Sequence, residues 1–444
     1  MKIAIIGGGP AGLFTAIALQ QMNHKVFVLE AETYEKQRAG EHLGAEARTL
    51  MKNLNIPNQI IEENSIGCTG VDGAWGQEEL LSRSSIFNPY GEGIILSRPA
   101  FDFALATYCQ SLNISIETDC RVSTLKQKDD CWEINTKDNQ FEADFVVDAS
   151  GRNSKFSNSL GTSKKLFDDL IGIARVLKPK QSQQITRSQL LIESTPSGWW
   201  YSVQLPSGDV AATFMTSAKL FSASKQSQEL FWESQLSKGR HTSIRLADFV
   251  ATEKGFTQSA KSQILQKVAG KGWLAVGDAA MSYDPLSSAG ILKGMRMGIS
   301  AASKINDWAN GNTVALDDYD QNCQKIFAEY LIEKEAYYDL EKRFNNYPFW
   351  YSRNIRPKSM NNFRFLPQQS LLIQEGNHTD KINYLSKELP EVNFQTLLNC
   401  IGVHKSAAHL VLKEYLSENK EIALNKHHFQ AIESMAQMGM ISVV

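Results

Sequence analysis

Two glycine-rich turns carry the residues whose types and spacing point to chemistry. The first, Gly7-Gly8-Gly9-Pro10-Ala11-Gly12, fits GxGxxG at Gly7, Gly9 and Gly12. In that pattern one glycine makes a tight turn, one lets the backbone approach a pyrophosphate, and one lets a helix pack closely on a strand. A helix starting at Pro10 then offers free N–H groups and a positive dipole end to the phosphates. Glu30, followed by Ala31, comes about 20 residues later, where an acid accepts hydrogen bonds from an adenosine ribose. The loop reads as a dinucleotide site. The second turn, GDAAMSYDPLSSAG from Gly277 to Gly290, joins a Gly-Asp to small residues, a proline and a Ser-Ser-Ala-Gly turn. Asp278 can accept hydroxyl hydrogen bonds, and Pro285, Ser288, Ala289, Gly290 and Ile291 lead into another helix whose N-terminus favours negative charge.

The elements that position these turns follow from hydrophobic patterning. Lys2–Ile6 and Lys25–Leu29 are short β-branched runs, and Pro10–Met22 between them has helical spacing. An NAD dehydrogenase would continue with further strand–helix units. Here Arg38-Ala39-Gly40-Glu41-His42-Leu43 and a turn-rich stretch come next, then Ser97-Arg98-Pro99 opening an amphipathic segment, Ala100–Leu112. Short strands are predicted over Ser115–Thr118, Arg121–Gln127, Trp132–Thr136 and Phe145–Ala149, the last running into Asp148-Ala149-Ser150-Gly151.

Composition narrows the class. A chain of 444 residues predicts two or three domains. The formal net charge of −2, without a dense Lys/Arg block, gives no global attraction to nucleic acid. The six cysteines fall in no close metal spacing, so no metal site is expected, and they read as reduced thiols. No apolar run approaches the ~20 residues of a membrane span, and Met1–Gly9 reads as a buried strand rather than a signal segment. A cytoplasmic location is expected.

Taken together, GGGPAG with Glu30, the helix start at Arg98, ADFVVDASG at Ala143–Gly151 and WLAVGDAAMSYDPLSSAG from Trp273 resemble, in order, the flavoprotein monooxygenases of the p-hydroxybenzoate hydroxylase type and their halogenase and geranylgeranyl reductase relatives. The resemblance implies FAD. It places Arg98 near the pyrophosphate and ribityl chain, with Arg38 also at the cofactor and the Glu41-His42-Leu43 turn close to the flavin. It sets Val122 beside the adenine through its backbone, adds Ala149 and Gly151 to the site, and puts Gly277 and Asp278 on the ribityl and pyrophosphate side. Charge supports two of these roles, since an arginine pairs with phosphate and an acid accepts hydroxyls.

Between Leu166 and Phe249 the pattern changes to alternating strands. In Gly198–Pro206, Trp199, Tyr201, Val203 and Leu205 fall on one face, with Trp200, Ser202 and Gln204 on the other. A turn at Ser207-Gly208-Asp209 leads to a partner strand, Val210–Thr216. Ser287–Lys342 reads as long helices, with Gly290, Gly294 and Gly298 clearing one face for close packing. The expected fold class is therefore α/β. A Rossmann-like FAD-binding domain (1–165 and 255–345) carries an antiparallel-sheet substrate domain (166–254) and a C-terminal helical subdomain (346–444).

A flavin halogenase would carry a WxWxIP strand and a lysine. The strand here reads Trp199-Trp200-Tyr201-Ser202-Val203-Gln204-Leu205-Pro206, and Asp72–Pro99 has no lysine, which disfavours halogenation. GWWYS, DPLSSAG and RFNNYPFWYSR are similar to the LodB, GoxB and QhpG-type flavoproteins of tryptophylquinone cofactor biogenesis. That resemblance implies hydroxylation, through a flavin C4a-hydroperoxide, of a tryptophan in the precursor of a quinone-cofactor oxidase or dehydrogenase. O2 and an electron donor such as NAD(P)H or a flavin reductase would be required. No catalytic side chain is assigned. A small-molecule aromatic hydroxylase, a prenyl reductase and a non-enzymatic flavin-bound chaperone of the partner remain open. Purified protein should be yellow and release FAD, not FMN, on denaturation; a colourless protein that cannot be reconstituted would refute the cofactor.

Overall fold

The computed structural model describes residues 1–354 except 37, 39, 130, 182–184, 186, 252 and 253, together with the strands Leu371–Ile373, Gly402–Val403, His409–Val411 and Ile441–Val443. It divides into two compact units, Met1–Asn354 and Ile355–Val444.

The apolar run Lys2–Ile6 is buried from Ile3 onward and lies inside a six-stranded sheet. The sheet order is Ala269–Gly270, Trp273–Ala275, Phe145–Asp148, Lys2–Ile6, Lys25–Leu29, Ser115–Glu117. All pairings are parallel except the hairpin of the first two strands. Such strands, covered on both faces, need continuous apolar sequence. Register decides function. Ile6 pairs with both Leu29 and Asp148, and Asp148 pairs with Ala275. The strands thus end at one edge, and the segments after them carry motif residues: the Gly7 loop, Glu30, Ala149–Gly151 and Gly277–Asp278.

Helix Pro10–Gln21 lies against helix Gly290–Ala309. A β-carbon on Gly298 would stand 2.8 Å from the Ala11 carbonyl oxygen and 2.9 Å from Thr15 Oγ1, and one on Gly294 would stand 3.2 Å from Ala11 Cβ. The expected glycine face therefore exists, and its partner is the phosphate-loop helix. The predicted helix over Ala100–Leu112 forms as Arg98–Ser111. The predicted strands Arg121–Gln127 and Trp132–Thr136 form the hairpin Thr124–Lys128 and Cys131–Asn135, which Gln140–Ala143 extends.

A ten-stranded sheet packs beside this core. Leu170–Pro179, Val210–Ser217, Gly198–Gln204 and Arg187–Thr195 are antiparallel neighbours within it, as expected for 166–254. It also reaches outside that stretch. Ser65–Ala74 joins Arg187–Thr195 in parallel, and Gly93–Leu96 and His42–Leu43 follow. The sheet is therefore mixed, and its N-terminal strands cover what would otherwise be an unpaired edge. Side-chain alternation holds as predicted: Trp199 and Trp200 are both fully buried, in separate core clusters on opposite faces.

The aromatic segment near Pro348 closes one face. Phe349 and Trp350 are fully buried, Trp350 Nε1 donates to the Thr195 carbonyl at 2.8 Å, and Trp199 Nε1 donates to Tyr338 Oη at 2.9 Å. Helix Pro348–Asn354 accordingly belongs to the first unit. The helical subdomain expected over the rest of 346–444 lies outside the described residues, save for four short strands that pair antiparallel. Among the described residues no helix is long and apolar enough to cross a membrane.

Gly298→Val should lower the unfolding free energy by about 1–3 kcal/mol through overpacking, read by urea denaturation of the FAD-free protein. Gly290→Ala, whose β-carbon meets nothing within 4 Å, should be neutral or stabilising in the same assay.

Candidate flavin site

The motif edge of the parallel sheet and one face of the ten-stranded sheet enclose a cavity of about 350 Å³. Two helices begin at it. Pro10–Gln21 starts after Gly9 and Gly290–Ala309 after Ala289, neither with a side chain capping its first N–H groups. Uncapped helix N-termini are anion sites. β-Carbons on Gly9, Gly151 and Gly290 would point into open space. An elongated anionic ligand therefore fits here, with one end at each helix start.

Of the residues expected at the cofactor, Gly9, Pro10, Ala11, Arg38, Glu41, His42, Arg98, Ala149, Gly151, Gly277, Asp278, Pro285, Ser288, Gly290 and Ile291 line the cavity. Gly7, Gly12, Glu30, Ala31, Leu43, Val122 and Ala289 do not. Gly7 has φ +115°, and a β-carbon there would stand 2.3 Å from the Ala149 carbonyl oxygen, so it serves the turn. Gly12 is held as tightly, 2.1 Å from the Gly7 oxygen by the same measure. Glu30 accepts from the Gly8 N–H at 2.6 Å, the Glu32 N–H at 3.0 Å and Arg38 Nη2 at 3.1 Å, tying the loop to the next strand. Leu43 is core, and the Val122 carbonyl accepts from Lys155 Nζ at 2.8 Å.

The two arginines share one carboxylate. Fully buried Asp102 pairs with Arg98 Nη2 at 2.9 Å and Arg38 Nη1 at 3.6 Å. Arg98 also donates to the Gly40 carbonyl at 3.2 Å. Asp102 thus holds two guanidinium groups at the cavity, and a guanidinium suits phosphate oxygens.

At the other end Asp278 is gripped on both oxygens, by Lys293 Nζ at 2.7 Å and Arg152 Nε at 3.1 Å. Lys293 Nζ also donates to the Met281 carbonyl, and Arg152 Nη2 to the Tyr283 carbonyl at 2.9 Å. Burial alone would raise the Asp278 carboxyl, but the two cations outweigh it and hold the group below the usual carboxylate range. Burial lowers the Lys293 ammonium, with Asp278 pulling back. Asp284, also at the cavity, goes the other way: desolvation raises it, although Tyr338 Oη donates to Oδ2 at 2.7 Å.

Arg152, Lys293, Asp284 and the sheet residues Tyr201, Ala211, Thr213, Met215 and Ala174 escaped sequence reasoning. Two left a signal. Arg152 directly follows Ala149-Ser150-Gly151, and Lys293 is the lone cation on the glycine face, next to Gly290 and Gly294.

Residues 1–333 match the family described as FAD binding domain. The chain belongs to that family. FAD is its cofactor, and the protein is an FAD-dependent oxidoreductase. Among members, the chain is 29% identical over 362 residues to a protein designated FAD-dependent oxidoreductase LodB of Marinomonas mediterranea, covering 79% of this chain and 96% of that protein. It is 22% identical over 382 residues to a tryptophan 2-halogenase of Chondromyces crocatus, covering 82% and 72%. In fold it is similar to the peptidyl tryptophan dihydroxylase QhpG (TM-score 0.66, 21% identity, 80% of this chain and 79% of that one). The myxobacterial chondrochloren halogenase CndH is similar too (TM-score 0.72, 17% identity, 89% and 91%).

Asp278→Ala should weaken FAD binding by about 10–100-fold, as for loss of a charge-assisted contact of about 1.5–3 kcal/mol. Titration of the FAD-free protein by flavin fluorescence reads this, and unchanged affinity would remove Asp278 from the site.

Proposed function

We propose that the protein is an O2-dependent monooxygenase that hydroxylates a tryptophan side chain of a partner precursor protein during tryptophylquinone cofactor formation, with electrons from an external donor such as NAD(P)H or a flavin reductase. The observation that carries this reading is the wall of the cavity that faces the cofactor cradle. Tyr201, Thr213 and Ala174 lie in one row across three paired strands, and Ala211 pairs with Val176 in an adjacent row. Ala174, Ala211 and Thr213 are short side chains on this wall beside Tyr201 and Met215, which suits a flat ring, and the partly exposed Phe256 also lines the cavity.

The chain's own residues do three things in this reaction. The buried apolar sheet face excludes water from the ring's path. Rigid strands fix the wall, so the substrate ring meets it in one orientation. Arg38, Arg98 and the helix at Pro10 anchor the cofactor's phosphates. Similarity to LodB over nearly its whole length supports the oxidoreductase chemistry, and similarity in fold to the peptidyl tryptophan dihydroxylase QhpG supports a peptidyl tryptophan as substrate.

Halogenase relatives raise a second chemistry. Against it, the adjacent indoles of Trp199 and Trp200 are buried on opposite sheet faces, and among the described residues no lysine lines the cavity. Residues 1–165 and 255–345 remain our proposed FAD-binding domain, with 166–254 supplying most of the substrate wall.

Co-expression with a quinoprotein precursor, followed by mass spectrometry of the precursor, tests the function. Oxygen should appear on a tryptophan only when this chain is present. An unmodified tryptophan beside an active flavin, with a free indole hydroxylated instead, would return the protein to small-molecule hydroxylation.

A further inference from the structure

Glu41 and Tyr201 are separated by 160 residues, yet the Tyr201 hydroxyl donates to Glu41 Oε2 at 3.3 Å on the cavity wall. Glu41 immediately precedes strand His42–Leu43, and Tyr201 stands on Gly198–Gln204, within the same ten-stranded sheet. Both are less than a tenth exposed. A carboxyl and a phenol placed together at a largely apolar wall incur a desolvation cost that a purely packing role would avoid.

We propose that Glu41, oriented by Tyr201, accepts the proton displaced from the ring of the aromatic substrate. The proposal rests on the monooxygenase reading above. When a hydroxyl replaces a ring hydrogen, O2 is the oxidant and the external two-electron donor the reductant. One oxygen atom of O2 forms the new C–O bond and the other leaves as water; the ring C–H bond then breaks, its electron pair returns to the ring, and the proton leaves. In this site it goes to the Glu41 carboxylate and afterwards to water. Glu41 is thus the catalytic base, and Tyr201 a positioning residue that keeps the carboxylate turned to the cavity.

The surroundings make the carboxylate a stronger base than one in water. Burial lifts the Glu41 carboxyl above the usual range, restrained by the backbone N–H groups of Glu41 and Gly40, by Arg98 and by the Tyr201 hydroxyl. On the Tyr201 side, Cys68 and Arg245 are the other ionisable groups nearby, and burial keeps the phenol protonated. His42, adjacent in sequence, is driven toward its neutral form by burial. A base must be deprotonated to act, so the product rate should rise with pH through the raised Glu41 pKa.

The test uses full-length FAD-loaded protein with two probes, the co-expressed tryptophan-bearing precursor and free indole. Glu41→Gln should still take up FAD, seen by flavin fluorescence, and should still consume the electron donor. Its hydroxylated product should fall by about 100-fold or more, with hydrogen peroxide released instead and the rising pH limb lost. Glu41→Asp should recover part of the rate. Tyr201→Phe removes a donor that favours the carboxylate, so its pH limb should move to higher pH with a smaller loss of rate. A Glu41→Gln enzyme that makes product at the wild-type rate, or keeps the pH limb, overturns the proposal. Product on indole but not on the precursor would sink the protein-substrate reading while leaving the base to be judged on indole. If wild-type protein oxygenates neither probe, both fall.

Discussion

Ala11 and Thr15 press against Gly294 and Gly298, and the flavin site depends on that contact. Only helices that meet almost backbone to backbone can bring two N-termini, 280 residues apart in sequence at Pro10 and Gly290, to one cavity. A larger side chain at Gly294 or Gly298 would push the helices apart and separate the two positive dipole ends. The parallel register of the central strands does the complementary work, since Ile6, Leu29, Asp148 and Ala275 finish at the same edge. Helix contact and strand register together bring both helix starts to one cavity.

Around that frame the buried carboxylates divide by environment. Asp102 and Asp278 each face two cations and so hold positive groups beside the cavity. Glu41 and Asp284 have phenolic partners and are raised by desolvation. The first kind suits binding of a charged cofactor, and the second suits exchange of a proton. The cationic partners sit on the side of the parallel sheet, and Tyr201 on the sheet that forms the opposite wall. Binding and substrate chemistry are thus divided between two layers of the fold.

Much of the cofactor half was legible because its signals are local. The Gly7 loop, the strand end at Glu30, the helix start at Arg98 and the turn at Gly277 each need particular residue types at short spacing, whatever the rest of the chain does. Even so, local spacing could not tell cavity from scaffold. Gly12, Glu30 and Val122 belong to the expected motifs, but they hold the loop together or bury themselves beside it. The sheet was less legible. Alternation around Trp199 and Trp200 predicted two faces, but a period-2 pattern does not say which strands become neighbours. The joining of Ser65–Ala74 to Arg187–Thr195 is a pairing across more than 100 residues.

By itself the sequence determined an α/β protein with a dinucleotide loop, a second glycine turn and a glycine-faced helix. Each follows from backbone sterics or from the hydrophobic period within a short window. Only the tertiary structure decided that the glycine face meets Ala11, that Arg152 and Lys293 clamp Asp278, and that Tyr201 reaches Glu41. Those contacts join residues up to 287 positions apart, as Ala11 and Gly298 are. They come from register and close packing, which no short window of residue types encodes.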